Sequence, residues 1–163
     1  MGAEEQGIEA RLTELGLRLP PVAAPAGSYV PAVFSKGVVY TSGQLPFVDG
    51  ALPATGKVGD GPGLVSPAEA QTYAGYSVLN ALAAAKSVIG SLDRITRILK
   101  VTGFVSSDPG FFGQPSVING ASDLLAQIFG DRGHHARSAV GVAVLPLNSP
   151  VEVELVLEVE EHH

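Results

Sequence analysis

The sequence predicts an α+β domain in which a single sheet, with elements in the order ββαβαββ, is covered on one face by two helices. Segments whose apolar residues have helical spacing lie between segments whose apolar residues alternate as in strands, so helices separate the strands. Each predicted strand has one polar and one apolar face, which is typical of a sheet packed against helices on one side. A chain of 163 residues is long enough for one such domain. We interpret 1–27 as a helix and lead-in, 28–158 as the sheet domain and 159–163 as a tail.

Composition and charge exclude several classes of protein. Hydrophobic residues make up 45% of the chain and charged residues 16%, which excludes general disorder, and no apolar run is long enough to cross a membrane. Cysteine is absent, so a disulfide framework, a thiolate metal site and a cysteine nucleophile are excluded. The formal charge of −6 disfavours nucleic acid as a partner. Glu4 and Glu5 stand where a secretory signal would be basic, and we expect a cytoplasmic protein.

The first third of the chain predicts a short helix followed by a β-hairpin. Residues 8–19 have helical spacing and are stopped by two prolines; the apolar positions are Ile8, Leu12, Leu15 and Leu19. Residues 29–34 and 38–42 read as two short strands that should pair across a tight turn. Residues 49–63 are rich in glycine and proline without periodicity, which predicts an exposed loop.

A long helix is predicted from 66 to 90 because a capping signal precedes an apolar stripe. Ser66 can cap the helix, Pro67 lies in its first turn and Glu69 stands three residues after the cap. The buried stripe is predicted to include Ala68, Tyr73 or Ala74, Val78, Leu82 and Ala85. Residues 95–106 then read as a long third strand.

The last third of the chain predicts a second helix and two strands. Residues 115–129 have helical spacing and end at Gly130; the apolar face is predicted to be Val117, Ala121, Leu124, Leu125 and Ile128. Residues 137–145 and 151–158 alternate as strands and are joined by a short proline-containing turn.

Arg137 is the first candidate for a binding residue. Alternation places it on one face with Ala139 and Gly141, so the guanidinium stands in a row of small residues with room for a ligand. Its planar fork matches a carboxylate in two-point contact. In the next strand Glu152 and Glu154 share a face, and one of them could lie across from Arg137. Alternation alone also fits, and favours, an edge arginine beside a solvated row of glutamates.

Other chemistries are less well supported by the spacing. His134 and His135 are adjacent, so on a strand they would point to opposite faces; we interpret them as loop or strand-entry residues and not as metal ligands. His162 and His163 are interpreted as the start of a purification tag. The serines near strands lack a nucleophile elbow with a histidine and acid partner, which disfavours a serine hydrolase; they are Ser42, Ser106 and Ser138.

With Arg137 on its strand, the chain resembles the RidA/YjgF family, also known as endoribonuclease L-PSP, from about 29 to 158. The resemblance rests on separated blocks, of which a Ser-Gly-Gln-x-Pro block and a later Arg-to-Leu-Pro block are specific when they occur in this order. The blocks cover 28–30, 40–46, 100–105, Asn119, 136–146 and 151–154.

The resemblance implies a chorismate-mutase-like fold and a homotrimer, in which three sheets form a central barrel with ligand sites between subunits. It implies hydrolysis of reactive 2-imino or 2-enamino acids to 2-keto acids and ammonia, with no metal or organic cofactor. By position, Arg137 matches the arginine that binds the substrate carboxylate, and Glu152 matches the glutamate that helps to place the attacking water. The other substrate-binding positions implied by the resemblance are Tyr29, Ser42, Gly43 and Ala139.

The apolar surface of the sheet also favours a homotrimer. Together with the alternating valines of the preceding strand, the last strand supplies more apolar surface than two helices must cover; its apolar residues are Val151, Val153, Leu155 and Leu157. The family resemblance selects threefold closure.

Departures from the family pattern leave the substrate open. Ala139 stands where the family often has cysteine, and Gly141 where an acidic residue is common, so the shape and polarity of the pocket differ. The N-terminal helix and the loop at 49–63 make the chain similar to a longer subgroup. A protein that binds small carboxylic acids such as keto acids without turnover is the alternative function. An endoribonuclease is a third, which the acidic charge opposes.

Overall fold

Five strands form one mixed sheet in the computed structural model, which describes residues 7–161. They are β1 (Ala32–Ser35), β2 (Val38–Thr41), β3 (Ile95–Ser106), β4 (Ala136–Val142) and β5 (Val151–Val159). Across the sheet the order is β1-β2-β5-β3-β4, with β3 and β4 parallel and the other neighbours antiparallel. The predicted first hairpin is confirmed. His162 and His163, interpreted above as part of a tag, lie outside the described residues.

Three α-helices accompany the sheet within residues 7–161: α1 (Ile8–Glu14), α2 (Pro67–Ile89) and α3 (Gln114–Phe129). The predicted capping box begins α2, where Ser66 Oγ accepts from Glu69 N at 3.2 Å and Glu69 Oε2 accepts from Ser66 N at 3.3 Å. The prediction that the first helix extends to 19 was wrong. It ends at Glu14 because Gly16 takes a left-handed conformation with φ of 72°, which a helix cannot continue through.

Glu9 attaches α1 to the rest of the fold. Its backbone N–H donates to Asp93 Oδ1 at 3.0 Å, and its Oε1 accepts from Leu92 N at 3.1 Å. The same oxygen lies 3.0 Å from Lys86 Nζ at the end of α2. With Ile8 and Leu12 buried, the N-terminal helix is a packed part of the domain.

The core lies between the sheet and the two long helices, which cover one face only. Most of the predicted stripe of α2 is buried, but Ala68 in the first turn is exposed and Tyr73 is only partly buried. The two helices approach closely at Gly120, where a Cβ atom would lie 1.9 Å from the Gln71 carbonyl oxygen. Only glycine fits there. Val58 also corrects the prediction of an exposed loop at 49–63, since it is buried and bridges to Val65 and Ser107.

The last two strands are not neighbours, contrary to one prediction for Arg137. The connection through α3 returns the chain against the direction of β3. As a result β4 runs parallel to β3 and pairs with it at the edge of the sheet. The chain then reverses, and β5 enters between β2 and β3. Arg137 is therefore in register with Val101, and β3 separates it from the carboxylates of Glu152 and Glu154. Neither glutamate lies across from Arg137.

The two faces of the sheet differ in what covers them. The apolar row of β5 is buried beneath the helices; its members are Val151, Val153, Leu155 and Leu157. They therefore supply no free surface, and the part of the argument for a trimer that rested on the last strand was wrong. The opposite face, called here the open face, instead exposes Val33 by 49%, Tyr40 by 51% and Val140 by 42%. No helix within residues 7–161 is both long enough and apolar enough to cross a membrane.

Candidate functional site

Arg137 lies on β4 with its side chain on the helix-covered side of the sheet, where it reaches α3. Its Nη1 donates to Asn119 Oδ1 at 2.8 Å and to Ser122 Oγ at 3.2 Å, and its Nη2 donates to the Pro115 carbonyl oxygen at 3.4 Å. A guanidinium has five N–H donors, so these three bonds leave two for another partner. Two is the number that a two-point contact with a carboxylate requires.

The small residues beside Arg137 make room for α3 and not for an open pocket. Ala139 is partly buried against the core. A Cβ atom at Gly141 would lie 2.7 Å from Gln114 Nε2. That amide donates to Ser107 Oγ at 3.1 Å and to the Phe111 carbonyl oxygen at 2.9 Å. The expectation of free space along this row is therefore wrong within one protomer, and an acidic residue at position 141 would displace Gln114.

The two adjacent histidines precede β4 and differ in their contacts. His134 is exposed. His135 is partly buried, with Nε2 2.8 Å from Ser122 Oγ and Nδ1 2.5 Å from the Gly133 carbonyl oxygen. His135 is thus linked through Ser122 to Arg137. Within residues 7–161 no cluster of histidine, aspartate and glutamate has the arrangement of a metal site.

Glu152 lies on β5 with its side chain on the open face. It is in register with Phe104 and only partly exposed. A Cβ atom at Gly43 would lie 2.7 Å from Glu152 Cδ, so the missing side chain at position 43 is what makes room for this carboxyl group. Burial raises the pKa of Glu152 above its usual value, and repulsion from Glu154 raises it further.

Ser42 and Tyr29 belong to the chain segments beside Gly43. Ser42 Oγ donates to the Val30 carbonyl oxygen at 2.6 Å, which uses its single hydrogen. Ser42 can therefore only accept a hydrogen bond from a ligand. Tyr29 is 51% exposed, and its hydroxyl oxygen accepts from Ala26 N at 3.2 Å.

The predicted site residues thus form two separate groups. The arginine half-site consists of Arg137, Asn119, Ser122 and Ala139, and the glutamate half-site of Glu152, Gly43 and Ser42. Tyr29 contacts Ala26 in its own segment and is next to Val30, which accepts from Ser42. Arg137 and Glu152 point to opposite faces, and β3 lies between their strands, which puts those strands about 10 Å apart. One protomer does not bring the two functional side chains together.

A cavity of about 870 Å³ lies apart from both half-sites, between the segment after α1 and the outer face of α2. Its walls include Pro20, Phe47 and Leu79, with Arg18 and Asp49 at the rim. None of its lining residues belongs to either half-site, and it contains no nucleophile with a partnered base. The volume of a cavity alone therefore does not identify the functional site of this protein.

The chain belongs to the family described as "YjgF/chorismate mutase-like, putative endoribonuclease", whose sequence model matches residues 9–159. Protein TCP17 of Trypanosoma cruzi is 41% identical over 152 residues, which cover 93% of each chain. Among solved structures, Atu1372 of Agrobacterium tumefaciens, a protein of unknown function, is 42% identical with a TM-score of 0.84, covering 98% of this chain and 97% of Atu1372. TdcF of E. coli, solved with bound serine, is 27% identical with a TM-score of 0.58, covering 88% of this chain and 94% of TdcF.

These comparisons confirm the family resemblance and the α+β fold with one mixed five-stranded sheet. The candidate site residues are of two kinds, those that the sequence blocks indicate and those that they do not. Arg137, Glu152, Ser42 and Tyr29 could be found from sequence blocks. Gln114, Ser122 and His135 could not, although Ser122 carried one signal: it stands three residues after Asn119 on the same face of a largely apolar helix.

Proposed function

We propose that this protein hydrolyses reactive 2-imino or 2-enamino acids to 2-keto acids and ammonia. The observation that carries the proposal is Arg137, whose guanidinium is held by α3 through three hydrogen bonds and retains two N–H donors at the edge of the sheet. A held guanidinium binds a carboxylate with less loss of conformational freedom than a mobile one. Arg137 would thus fix the substrate by its carboxylate.

Glu152 supplies the acid–base chemistry of the proposed reaction. A carboxylate whose pKa is raised is a better base toward water. Glu152 would accept a proton from water as its oxygen attacks the imine carbon, and would deliver that proton to the nitrogen to give a carbinolamine. It would then transfer the hydroxyl proton of this intermediate to the nitrogen as the C–N bond breaks, which releases ammonia and the keto acid. Ser42 can accept a hydrogen bond from the substrate N–H, because its own hydrogen is used by the Val30 carbonyl oxygen. The reaction consumes one water and requires no cofactor.

A second copy of the chain would complete the site. The two half-sites do not meet in one protomer, so a substrate fixed by Arg137 reaches Glu152 only if that residue belongs to a neighbour. The exposed Val33, Tyr40 and Val140 give the open face apolar surface for such a contact. Together with the family membership, this supports a homotrimer with sites between subunits.

The test is to measure ammonia and keto acid released from an imino acid generated freshly by an amino-acid oxidase. Wild type should accelerate release over the spontaneous reaction. Glu152→Gln should lower kcat more than it weakens substrate binding. The matched change Glu154→Gln on the same face removes only the smaller of the two causes of the raised pKa of Glu152, so it should lower kcat less. Equal rates for wild type and Glu152→Gln would remove Glu152 from the mechanism.

Binding of a small carboxylic acid without turnover is the second candidate, favoured by the serine bound in TdcF. The same arginine would hold a keto acid or an amino acid. Calorimetric binding of pyruvate without any acceleration of imine hydrolysis, across a panel of imino acids, would select this function. An endoribonuclease would require RNA binding that weakens as salt rises, which the charge of −6 opposes.

A further inference from the structure

Three hydrogen bonds connect the 3₁₀ turn Gly130–Gly133 to Arg137. The Gly133 carbonyl oxygen lies 2.5 Å from His135 Nδ1, and His135 Nε2 lies 2.8 Å from Ser122 Oγ. Ser122 Oγ in turn lies 3.2 Å from Arg137 Nη1. The connected groups come from the turn, the entry to β4, α3 and β4 itself. They meet behind the guanidinium that the proposed function uses.

The chemistry of the end groups sets the direction of every hydrogen in this connection. A carbonyl only accepts, so a neutral His135 carries its hydrogen on Nδ1 and presents a lone pair at Nε2. An arginine only donates, so Ser122 Oγ accepts from Arg137 and sends its own hydrogen to His135 Nε2. In each of the three bonds, one donor then faces one acceptor. Of the two neutral tautomers of His135, the Nδ1–H form is the one that satisfies all three bonds.

We propose that His135 and Ser122 are positioning residues that orient the guanidinium of Arg137 toward the substrate carboxylate. This inference rests on the proposed function, in which Arg137 binds that carboxylate. Asn119 Oδ1 takes one hydrogen of Nη1 at 2.8 Å, and the Pro115 carbonyl oxygen takes one of Nη2 at a longer and weaker 3.4 Å. Ser122 Oγ takes the second hydrogen of Nη1 at 3.2 Å and so completes the restraint on the plane of the guanidinium. His135 keeps the Ser122 hydroxyl rotated so that a lone pair faces Arg137.

Binding measurements test the role through matched variants. His135→Phe keeps a flat ring but removes the acceptor, and Ser122→Ala removes the link. Each should weaken pyruvate binding about three- to tenfold, the effect of losing one hydrogen bond. The double variant should be no weaker than Ser122→Ala, because both changes interrupt one connection. Ser122→Thr, which retains the hydroxyl, should recover most of the affinity, and the neighbouring control His134→Phe should leave it unchanged.

Nitrogen-15 NMR tests the positioning without requiring binding or turnover. At neutral pH, wild type should show the Nδ1–H tautomer of His135 and separate signals for the two Nη groups of Arg137, as expected for a guanidinium that does not rotate freely. In His135→Phe and Ser122→Ala the Nη signals should merge. If wild type fails to bind pyruvate but the Nη signals behave in this way, the proposed function fails and the positioning role stands. Separate, unchanged Nη signals in both folded variants, or the other tautomer in wild type, would overturn the inference.

Discussion

The two half-sites hold their functional side chains in different ways. Arg137 is held by directed hydrogen bonds, with Asn119 and Ser122 on α3 as acceptors for one of its nitrogens. Glu152 is held by close packing against Gly43, and burial raises its pKa. The arginine half-site thus fixes the orientation of its residue, whereas the glutamate half-site disfavours the charged form of Glu152.

This difference suits the roles proposed for the two residues. A residue that binds a carboxylate should keep one charge and one orientation, which hydrogen bonds to a rigid helix provide. A residue that exchanges a proton with water should be able to adopt both its protonated and its ionised form. Partial burial favours this because it destabilises the ionised form. Substitutions can therefore alter the two half-sites separately, through the binding donors of Arg137 or through the packing and ionisation of Glu152.

Arg137→Ala should have the largest effect, on ligand binding. Two charge-assisted hydrogen bonds contribute about 1.5–3 kcal/mol each, so the affinity for pyruvate should fall on the order of 100-fold or more. Arg137→Lys should also be damaging, because lysine keeps the charge but loses the planar fork. Calorimetric titration measures both variants, after circular dichroism and sizing show that each is folded and assembled. Undiminished affinity in folded Arg137→Ala would remove the arginine half-site from the account.

Gly43→Ala should affect turnover more than stability. The added Cβ would lie 2.7 Å from Glu152 Cδ, so the carboxyl group must move, and a side-chain end can do this at a cost of about 1 kcal/mol or less. A misplaced catalytic group can lower kcat by a factor of about 10 to 100. The control is Gly110→Ala, whose Cβ would meet Asp108 Oδ2 at an ordinary 3.7 Å. A wild-type kcat in Gly43→Ala would show that the position of Glu152 is not set by this contact.

The smallest predicted effect is on stability, where Glu152→Gln should give a pH-dependent gain. The folded-state pKa of Glu152 is raised, so ionisation costs more in the folded than in the unfolded chain. Wild type therefore loses stability as pH rises from the ordinary glutamate value of 4.5 through the raised value. The glutamine variant should melt at a higher temperature than wild type at pH 7 and lose this advantage as pH falls below 4.5. An advantage that grows on acidification would reverse the sign of the argument.

The elements of the fold could be predicted where local signals determine them. The capping box of Ser66 and Glu69 located the start of α2, and the long third strand was predicted with the bounds that β3 has, Ile95–Ser106. The first helix was predicted too long because Leu19 continues the helical spacing beyond Gly16, where the backbone turns left-handed. Leu19 still packs against the core, so the apolar spacing at this point indicates burial and not a helix.

The relation between Arg137 and Glu152 could not be predicted from alternation. Alternation shows which residues share a face within one strand, but strand order depends on how α3 and the turn after β4 direct the chain. The sequence blocks marked both residues as family positions, but they carry no information on the distance between the two residues in one protomer. Alternation also does not show which residues of α3 contact Arg137, because Asn119 and Ser122 lie 18 and 15 residues from it along the chain.

Complementation between two inactive variants tests the central claim, that each site takes Arg137 from one protomer and Glu152 from another. Arg137→Ala and Glu152→Gln would be co-expressed with different tags, and mixed oligomers isolated by both tags. Each mixed trimer has three interfaces, of which about one combines an intact Arg137 with an intact Glu152. Imine hydrolysis should therefore recover to about a third of the wild-type rate, while each variant alone remains inactive. Mixed oligomers as inactive as either parent would contradict a site shared between protomers.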